Sequence, residues 1–186
     1  MTLTATDFYS GAGGSSEGLR LAGWDIRACA NHWERAVETH RRNHPDAEHH
    51  LANLHETDMR RFPTTTLLWA SPSCVWHTPA GGRKKLPVDQ ELRRQDAGAV
   101  DRATAFAVIA AAEVHDYEAV IVENVPEFTD WVLYNWWLDG MTALGYHAQT
   151  AILDAADFGL PQRRKRWFGI STRNGDVDLS LPHLDR

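Results

Sequence analysis

A doubly wound α/β domain with a mostly parallel sheet is the fold this sequence predicts, and three observations predict it. Short apolar runs alternate with longer amphipathic stretches along the chain, the pattern of repeated strand–helix units. The first apolar run ends in a glycine-rich turn, Ser10-Gly11-Ala12-Gly13-Gly14, ahead of a helical stretch. The residues able to do chemistry follow directly on apolar runs, where the strands of such a sheet end and ligands bind. At 186 residues the chain is long enough for one such domain with a sizeable core and too short for two.

Taken in order, residues 3–9 read as the first strand, and Ser15 or Ser16 caps a helix running to about residue 22. Residues 24–30 are a second strand, and 33–43 a helix stopped near Pro45. Residues 66–70 are a buried strand leading straight into Ser71-Pro72-Ser73-Cys74. A long polar stretch, 75–98, carries Gly81-Gly82 and Pro87; a loop of that length inside a compact domain is usually functional or mobile. An alanine-rich helix over 100–115 follows, then a strand over 119–122 that closes on Glu123-Asn124. Residues 130–144 read as a helix, and 146–153 and 166–171 as the last two strands. No internal repeat interrupts this order.

Composition narrows the class. Hydrophobic residues at 43% and charged residues at 24% suit a soluble globular protein. No apolar run approaches the roughly 20 residues of a membrane span, and the start of the chain lacks a basic stretch and an apolar core of signal-peptide length. The two cysteines, Cys29 and Cys74, stand in unrelated settings, which argues against a disulfide framework and for a reducing cytoplasm. A net charge of −6 argues on its face against a nucleic-acid partner. Basic residues nevertheless gather at Arg41-Arg42, Arg60-Arg61, Arg83-Lys84-Lys85, Arg93-Arg94 and 163–166, each of which also reads as ordinary solvated surface.

Four segments carry candidate chemistry. The turn Asp7-Phe8-Tyr9-Ser10-Gly11-Ala12-Gly13-Gly14 lets backbone approach a ligand closely, although plain tight turns share it. Cys74 follows a buried strand amid polar neighbours, with basic residues at 83–85, a setting for an accessible thiolate; the alternative is a small buried hydrophobe. Cys29, inside an apolar strand, reads as core. Glu123 leaves the strand at the same sheet edge, either as a capping or ion-pairing group or as a carboxyl raised in pKa by burial. Gln162-Arg163-Arg164-Lys165-Arg166 precedes the last strand, and in extended form would set Gln162, Arg164 and Arg166 on one face.

In order and spacing, these four segments resemble one family. From residue 3 to about 170 the chain is similar to the DNA (cytosine-5)-methyltransferases, whose core is a Rossmann-like S-adenosylmethionine-dependent methyltransferase fold. The resemblance implies that Cys74 is a nucleophile adding to C6 of cytosine, that Glu123 holds a proton near N3, and that Asn124 fixes the glutamate loop. Arg164 and Arg166 resemble the arginines that contact the base, the cysteine loop and Glu123, with Gln162 in support. For the cofactor, S-adenosyl-L-methionine, it implies backbone contacts along Ser10, Gly11, Gly13 and Gly14, Tyr9 against the adenine, and His32 and Trp33 near ribose and adenine. Asn53 and Leu54 would lie at the adenine edge, and Pro72 beside them in the cysteine segment. Ser73 and Thr78 of that segment, with Arg83, Lys84 and Lys85, would meet DNA. The stretch over 75–98 resembles the segment that closes over a flipped base.

The sequence departs from the family's pattern at several points. Ser73 stands where proline usually precedes the cysteine, and Val75-Trp76-His77-Thr78 differs from the common version. His32 replaces the usual ribose-binding glutamate, and Asn53 the usual acidic residue. The family's target-recognition domain and last segment have no counterpart in these 186 residues. The expectation is therefore a single catalytic and cofactor-binding domain, acting on DNA with recognition supplied by a separate part such as a second subunit, in a prokaryotic or phage setting. A non-catalytic remnant or cofactor-binding subunit of a split methyltransferase, and a tRNA-directed cytosine-5 methyltransferase, are the alternatives. A nicotinamide-binding domain would explain the glycine turn but not Cys74 and Glu123 together.

Overall fold

The computed structural model describes residues 3–73 and 102–177. Cys74, Thr78, Arg83, Lys84, Lys85 and the expected loop over 75–98 lie outside them. In chain order the elements are β1 (Thr4–Phe8), α1 (Gly14–Leu21), β2 (Asp25–Asn31), α2 (Glu34–Asn43), β3 (Glu48–Leu51) and β4 (Leu67–Ala70). After these come α3 (Phe106–His115), β5 (Ala119–Asn124), α4 (Tyr134–Ala143), β6 (His147–Asp154) and β7 (Lys165–Thr172).

The strands form one seven-stranded sheet in the order β3-β2-β1-β4-β5-β7-β6. From β1 the chain steps outward through β2 to β3, then returns to place β4 on the other side of β1. That reversal is the switch point at which open α/β sheets bind ligands. The five strands β3, β2, β1, β4 and β5 pair in parallel, whereas β7 enters antiparallel between β5 and β6. Doubly wound and mostly parallel describes it correctly.

Alternation along each strand serves two apolar layers. Phe8, Leu68, Val120 and Val122 face the larger layer, where α3 and α4 pack with Val108, Ala111, Ala112, Trp137 and Met141. Small residues on α3 let it lie close to the sheet. Ala5, Ile26 and Leu67 face the smaller layer with Leu19 of α1. Two long side chains bridge elements through their polar tips: Trp137 Nε1 donates to the Ala105 carbonyl at 2.8 Å, and Tyr146 Oη donates to that of Tyr117 at 2.9 Å. Among the described residues no helix is long and apolar enough to cross a membrane.

The elements depart from the expected ones in several places: Gly13, not Ser15 or Ser16, takes the N-cap of α1, and α3 starts at Phe106 after a 3-10 turn over Ala103–Ala105 instead of at residue 100. β3, Glu-His-His-Leu, carries no alternation of its own and was not anticipated; it forms because β2 offers its edge, with Cys29 beside His49 and Ala30 beside His50. The helix expected from residue 130 starts at Tyr134, since Pro126 opens a 3-10 turn that runs to Asp130. β7 starts at Lys165, so Gln162 and Arg164 precede the strand rather than share its face with Arg166.

Candidate active site

β1, β4 and β5 are neighbours in the sheet, so their carboxyl ends bring three segments to one edge: the glycine turn, Ser71-Pro72-Ser73 and Glu123-Asn124. The first is held in an unusual backbone shape. Tyr9 has φ 61°, a left-handed conformation that costs a bulky residue energy and concentrates at functional sites. Its hydroxyl donates to the Thr104 carbonyl at 2.8 Å. Gly13, at φ 102°, sits so close to α2 that a Cβ there would lie 2.8 Å from the His44 ring, so both its backbone and its space require glycine. Asn43 Nδ2 donates to the Ala12 carbonyl at 3.0 Å, and His44 Nε2 lies 3.2 Å from that of Gly13. The end of α2 thus grips the turn from behind.

Beneath the turn, Asp7 is fully buried and accepts from the Ser15 and Ser16 hydroxyls, each at 2.6 Å. Burial pushes its carboxyl up to about 6, with the two serine hydrogen bonds opposing the rise. Ser16 Oγ lies 2.9 Å from Nε2 of buried His40, whose imidazole burial and neighbouring His44 and His49 hold down at about 4. These two groups oppose one another in acid. Native Asp7 binds more protons than the unfolded chain between about pH 4 and 6, so its contribution falls as pH rises. Native His40 binds fewer between about pH 4 and 6.5, so its contribution grows as pH rises. Asp7→Asn removes only the first of these, an effect of roughly 3 kcal/mol across the window. Urea midpoints measured from pH 4 to 6.5 should then climb more steeply with pH in Asp7→Asn than in the unaltered protein; parallel curves would refute the assignment.

A cleft opens in front of the turn, between the ends of β1, β2 and β4. Tyr9, His32, Asn53 and Leu54 line it together with Asn31, His55, Ser71, Ser73 and Thr104. An aromatic ring, a buried leucine, amides and hydroxyls suit an aromatic base carrying a sugar. Trp33 is exposed at the start of α2 and is not part of this lining, although its N–H donates to Asn31 Oδ1 at 2.9 Å. Ser10 is buried behind the cleft, and Gly11, Gly13 and Gly14 run along the turn.

At the neighbouring corner, Asn124 is buried and donates through Nδ2 to the Pro72 carbonyl at 3.1 Å, while its Oδ1 accepts from the Val125 N–H at 2.8 Å. The end of β5 is thereby tied to the residue two places before Cys74. Glu123 faces the opposite side of β5, where Arg166 Nε meets its carboxylate at 2.9 Å. Register explains the pair: Glu123 stands opposite Phe168 in the antiparallel ladder, so Arg166 occupies the diagonal position on the same face. With side chains 23% and 22% exposed, the two are accessible and paired, so Glu123 is an ion-paired group and not one sealed in apolar surroundings. Gln162 and Arg164 are exposed on the approach to β7, where the Arg164 N–H donates to Asp154 Oδ1 at 2.9 Å.

Thr104 is the residue that sequence reasoning missed. Its Oγ1 accepts the Ser73 N–H at 3.0 Å, and its carbonyl takes the Tyr9 hydroxyl, so one residue clasps both the cysteine segment and the glycine turn. It sits in a stretch with no motif, and only the return of the chain across the sheet brings it there. Asn31 and Ser71 also line the cleft unannounced; the first ends β2 and the second directly follows β4, which was the available signal.

Comparison with known proteins agrees with this arrangement. The C-5 cytosine-specific DNA methylase family profile matches residues 3–184. The chain is 29% identical to type II methyltransferase M.HindV of Haemophilus influenzae over 99% of its own length and 58% of the relative's. It is 30% identical to M.HgiDI of Herpetosiphon aurantiacus, over 92% of the chain and 52% of that protein. The chain therefore spans little more than half of these relatives. The crystal structure of S. pombe Dnmt2 methyltransferase superposes with a TM-score of 0.74 at 21% identity, covering 97% of this chain and 52% of that one, a likeness of fold. A glycine turn after β1, a cysteine after β4 and Glu-Asn closing β5, inside a match that covers nearly the whole chain, place this protein in the C-5 cytosine-specific DNA methylase family.

Proposed function

We propose that this chain is the catalytic part of a DNA (cytosine-5)-methyltransferase that transfers a methyl group from S-adenosylmethionine to C5 of cytosine, with target recognition supplied by a separate part. The observation that carries the reading is the bond from Asn124 to Pro72, which joins the glutamate corner to the segment entering Cys74. S-adenosylmethionine, when bound, supplies an electrophilic methyl group. Tyr9, His32, Asn53 and Leu54 would hold its adenosine part, and the backbone over 10–14, with Pro72 nearby, would receive the rest; Trp33 would close the rim.

C5 of cytosine is a weak nucleophile because the ring delocalises its electrons. The Cys74 thiolate forms a bond to C6, which moves electron density onto C5. Glu123 shares a proton with N3 and so limits the charge that develops there, while Arg166 holds the carboxyl in place; Arg164 and Gln162 approach the base from the same strand entry. Once C5 carries the methyl group, loss of the C5 proton and breakage of the Cys74–C6 bond restore aromaticity. A stacked base cannot be reached this way, so the cytosine must leave the duplex. Ser73, Thr78, Arg83, Lys84 and Lys85 would contact the surrounding DNA, countering locally a chain charge of −6.

DNA carrying 5-fluorocytosine tests this, because fluorine at C5 blocks the final elimination. With S-adenosylmethionine present, the protein should form a denaturation-resistant adduct mapping to the Cys74 peptide, and Cys74→Ala should form none. The reaction is run with the chain alone and with its candidate partner subunit, and with tRNA as a competing substrate. An adduct elsewhere, or transfer that survives Cys74→Ala, would overturn the proposal; preference for tRNA would reassign the substrate.

A further inference from the structure

Behind the glycine turn, away from the cleft, the sheet assembles a set of donor atoms that methyl transfer does not use. We propose that Cys29, His40 and His49 form a binding site for a soft divalent cation of the zinc class. Register creates it. Asp7 on β1 is paired with Cys29 on β2, and Cys29 is paired with His49 on β3, so the three stand in one row across neighbouring strands. α2 lies over this row and lowers His40 onto it.

Three ligand atoms converge there. His40 Nδ1 lies 3.4 Å from Cys29 Sγ and 3.0 Å from His49 Nε2, and all three atoms fall within 4.8 Å of one another. Tetrahedral zinc, with bonds of about 2.0–2.1 Å to nitrogen and 2.3 Å to sulfur, spaces its ligands by roughly 3.3–3.6 Å. The two His40 contacts are within a few tenths of an ångström of that spacing, whereas Cys29 and His49, up to 4.8 Å apart, would close by about 1 Å as their side chains rotate onto the ion. The fourth position falls to water.

Protonation is already arranged for one ligand. Ser16 donates to Asp7, so its oxygen accepts the proton on His40 Nε2 and the lone pair of His40 points from Nδ1 toward Cys29 and His49. A carboxylate acting through a hydroxyl on the far nitrogen of a ligand histidine is the outer arrangement that orients metal ligands. Binding would release the Cys29 thiol proton and move the His49 proton from Nε2 to Nδ1. The thiolate and a carboxylate at Asp7, whose Oδ1 has no hydrogen-bond partner among the described residues, would offset the two charges of the cation. Arg41, which acts electrostatically on both Cys29 and His49, opposes it. Cys29 and His40 are fully buried while His49 is half-buried, which leaves a way in from the β3 edge. Since His40 and His44 press against Gly13, a bound cation would stiffen the turn that faces the cleft.

Titration of the metal-free 186-residue chain with Co(II) tests the proposal, since a thiolate ligand gives a sulfur-to-cobalt charge-transfer band. One equivalent should bind with that band and tetrahedral ligand-field absorption. The band should persist in Cys74→Ala and vanish in Cys29→Ser and His49→Gln, with affinity reduced about 100-fold or more. Circular dichroism confirms folding, and should Cys29→Ser fail to fold, the more exposed His49→Gln decides alone. No thiolate band in the unaltered protein, a band that survives Cys29→Ser or His49→Gln, or one lost only in Cys74→Ala would overturn the site.

Discussion

On the proposed mechanism, Glu123→Gln should lower the rate of methyl transfer by about 10²–10⁴-fold and leave affinity for S-adenosylmethionine unchanged, the range spanned by removing a general acid–base group. Glutamine keeps the shape of the side chain but cannot exchange a proton with N3 of the base, and it loses the charge that meets Arg166 at 2.9 Å. Glu123 does not line the cleft in front of the glycine turn, so cofactor binding has no reason to change. Single-turnover transfer, measured under conditions in which the unaltered protein forms its adduct, gives the first quantity, and equilibrium titration with the cofactor gives the second. Arg166→Lys, which keeps the charge but not the fixed fork of donors, should fall between the two proteins. Transfer at close to the original rate in Glu123→Gln would remove the glutamate from the chemistry.

Trp167→Ala costs about 3–5 kcal/mol of stability, the usual effect of emptying a large aromatic site. The ring is 1% exposed. It packs against Phe128, Tyr134 and Trp137 at centroid distances of 4.9, 5.8 and 6.3 Å, and covers Gly169, where a Cβ would meet it at 2.5 Å. Rigid rings on several sides and bare backbone beneath cannot collapse into the vacated volume. Among the described residues its Nε1 has no hydrogen-bond partner, so the loss there is one of packing. Against a total of about 5–15 kcal/mol for a domain, this is a large fraction, and the melting temperature should drop by on the order of 10 °C. Urea and thermal unfolding measure it, and a midpoint near that of the unaltered protein would contradict the packing account. Because Trp167 follows Arg166 on β7, the substitution should also loosen the pairing with Glu123.

Much of this architecture was legible because local signals and tertiary needs agree. The first strand, its glycine turn and the helix after it sit within a residue or two of their expected bounds, since apolar alternation and glycine favour the same structure there; the expected serine cap is not made, because Ser15 and Ser16 lie inside the helix and donate to Asp7. Glu123 and Asn124 were expected at the end of a strand and lie there. β3 was missed because an edge strand of Glu-His-His-Leu is held by the backbone of β2 and not by its own pattern. The start of α4 was misjudged because Pro126 sets up a 3-10 turn that absorbs residues of helical composition. Gln162 and Arg164 were expected in line with Arg166, but the Arg164 N–H is taken by Asp154 and the strand begins only afterwards.

Composition, periodicity and motif order were enough to determine the fold class, the succession of its elements and the residue types at the strand ends, because each depends on neighbours a few positions away. Which strands lie side by side was decided by the folded chain: β1 against β4, β7 reversed between β5 and β6, and Asp7, Cys29 and His49 in one row. So was the placing of Thr104 between the turn and Ser73. Strand order and register arise from hydrogen bonding and burial between segments tens of residues apart, and one residue's slip would turn each of those side chains to the other face.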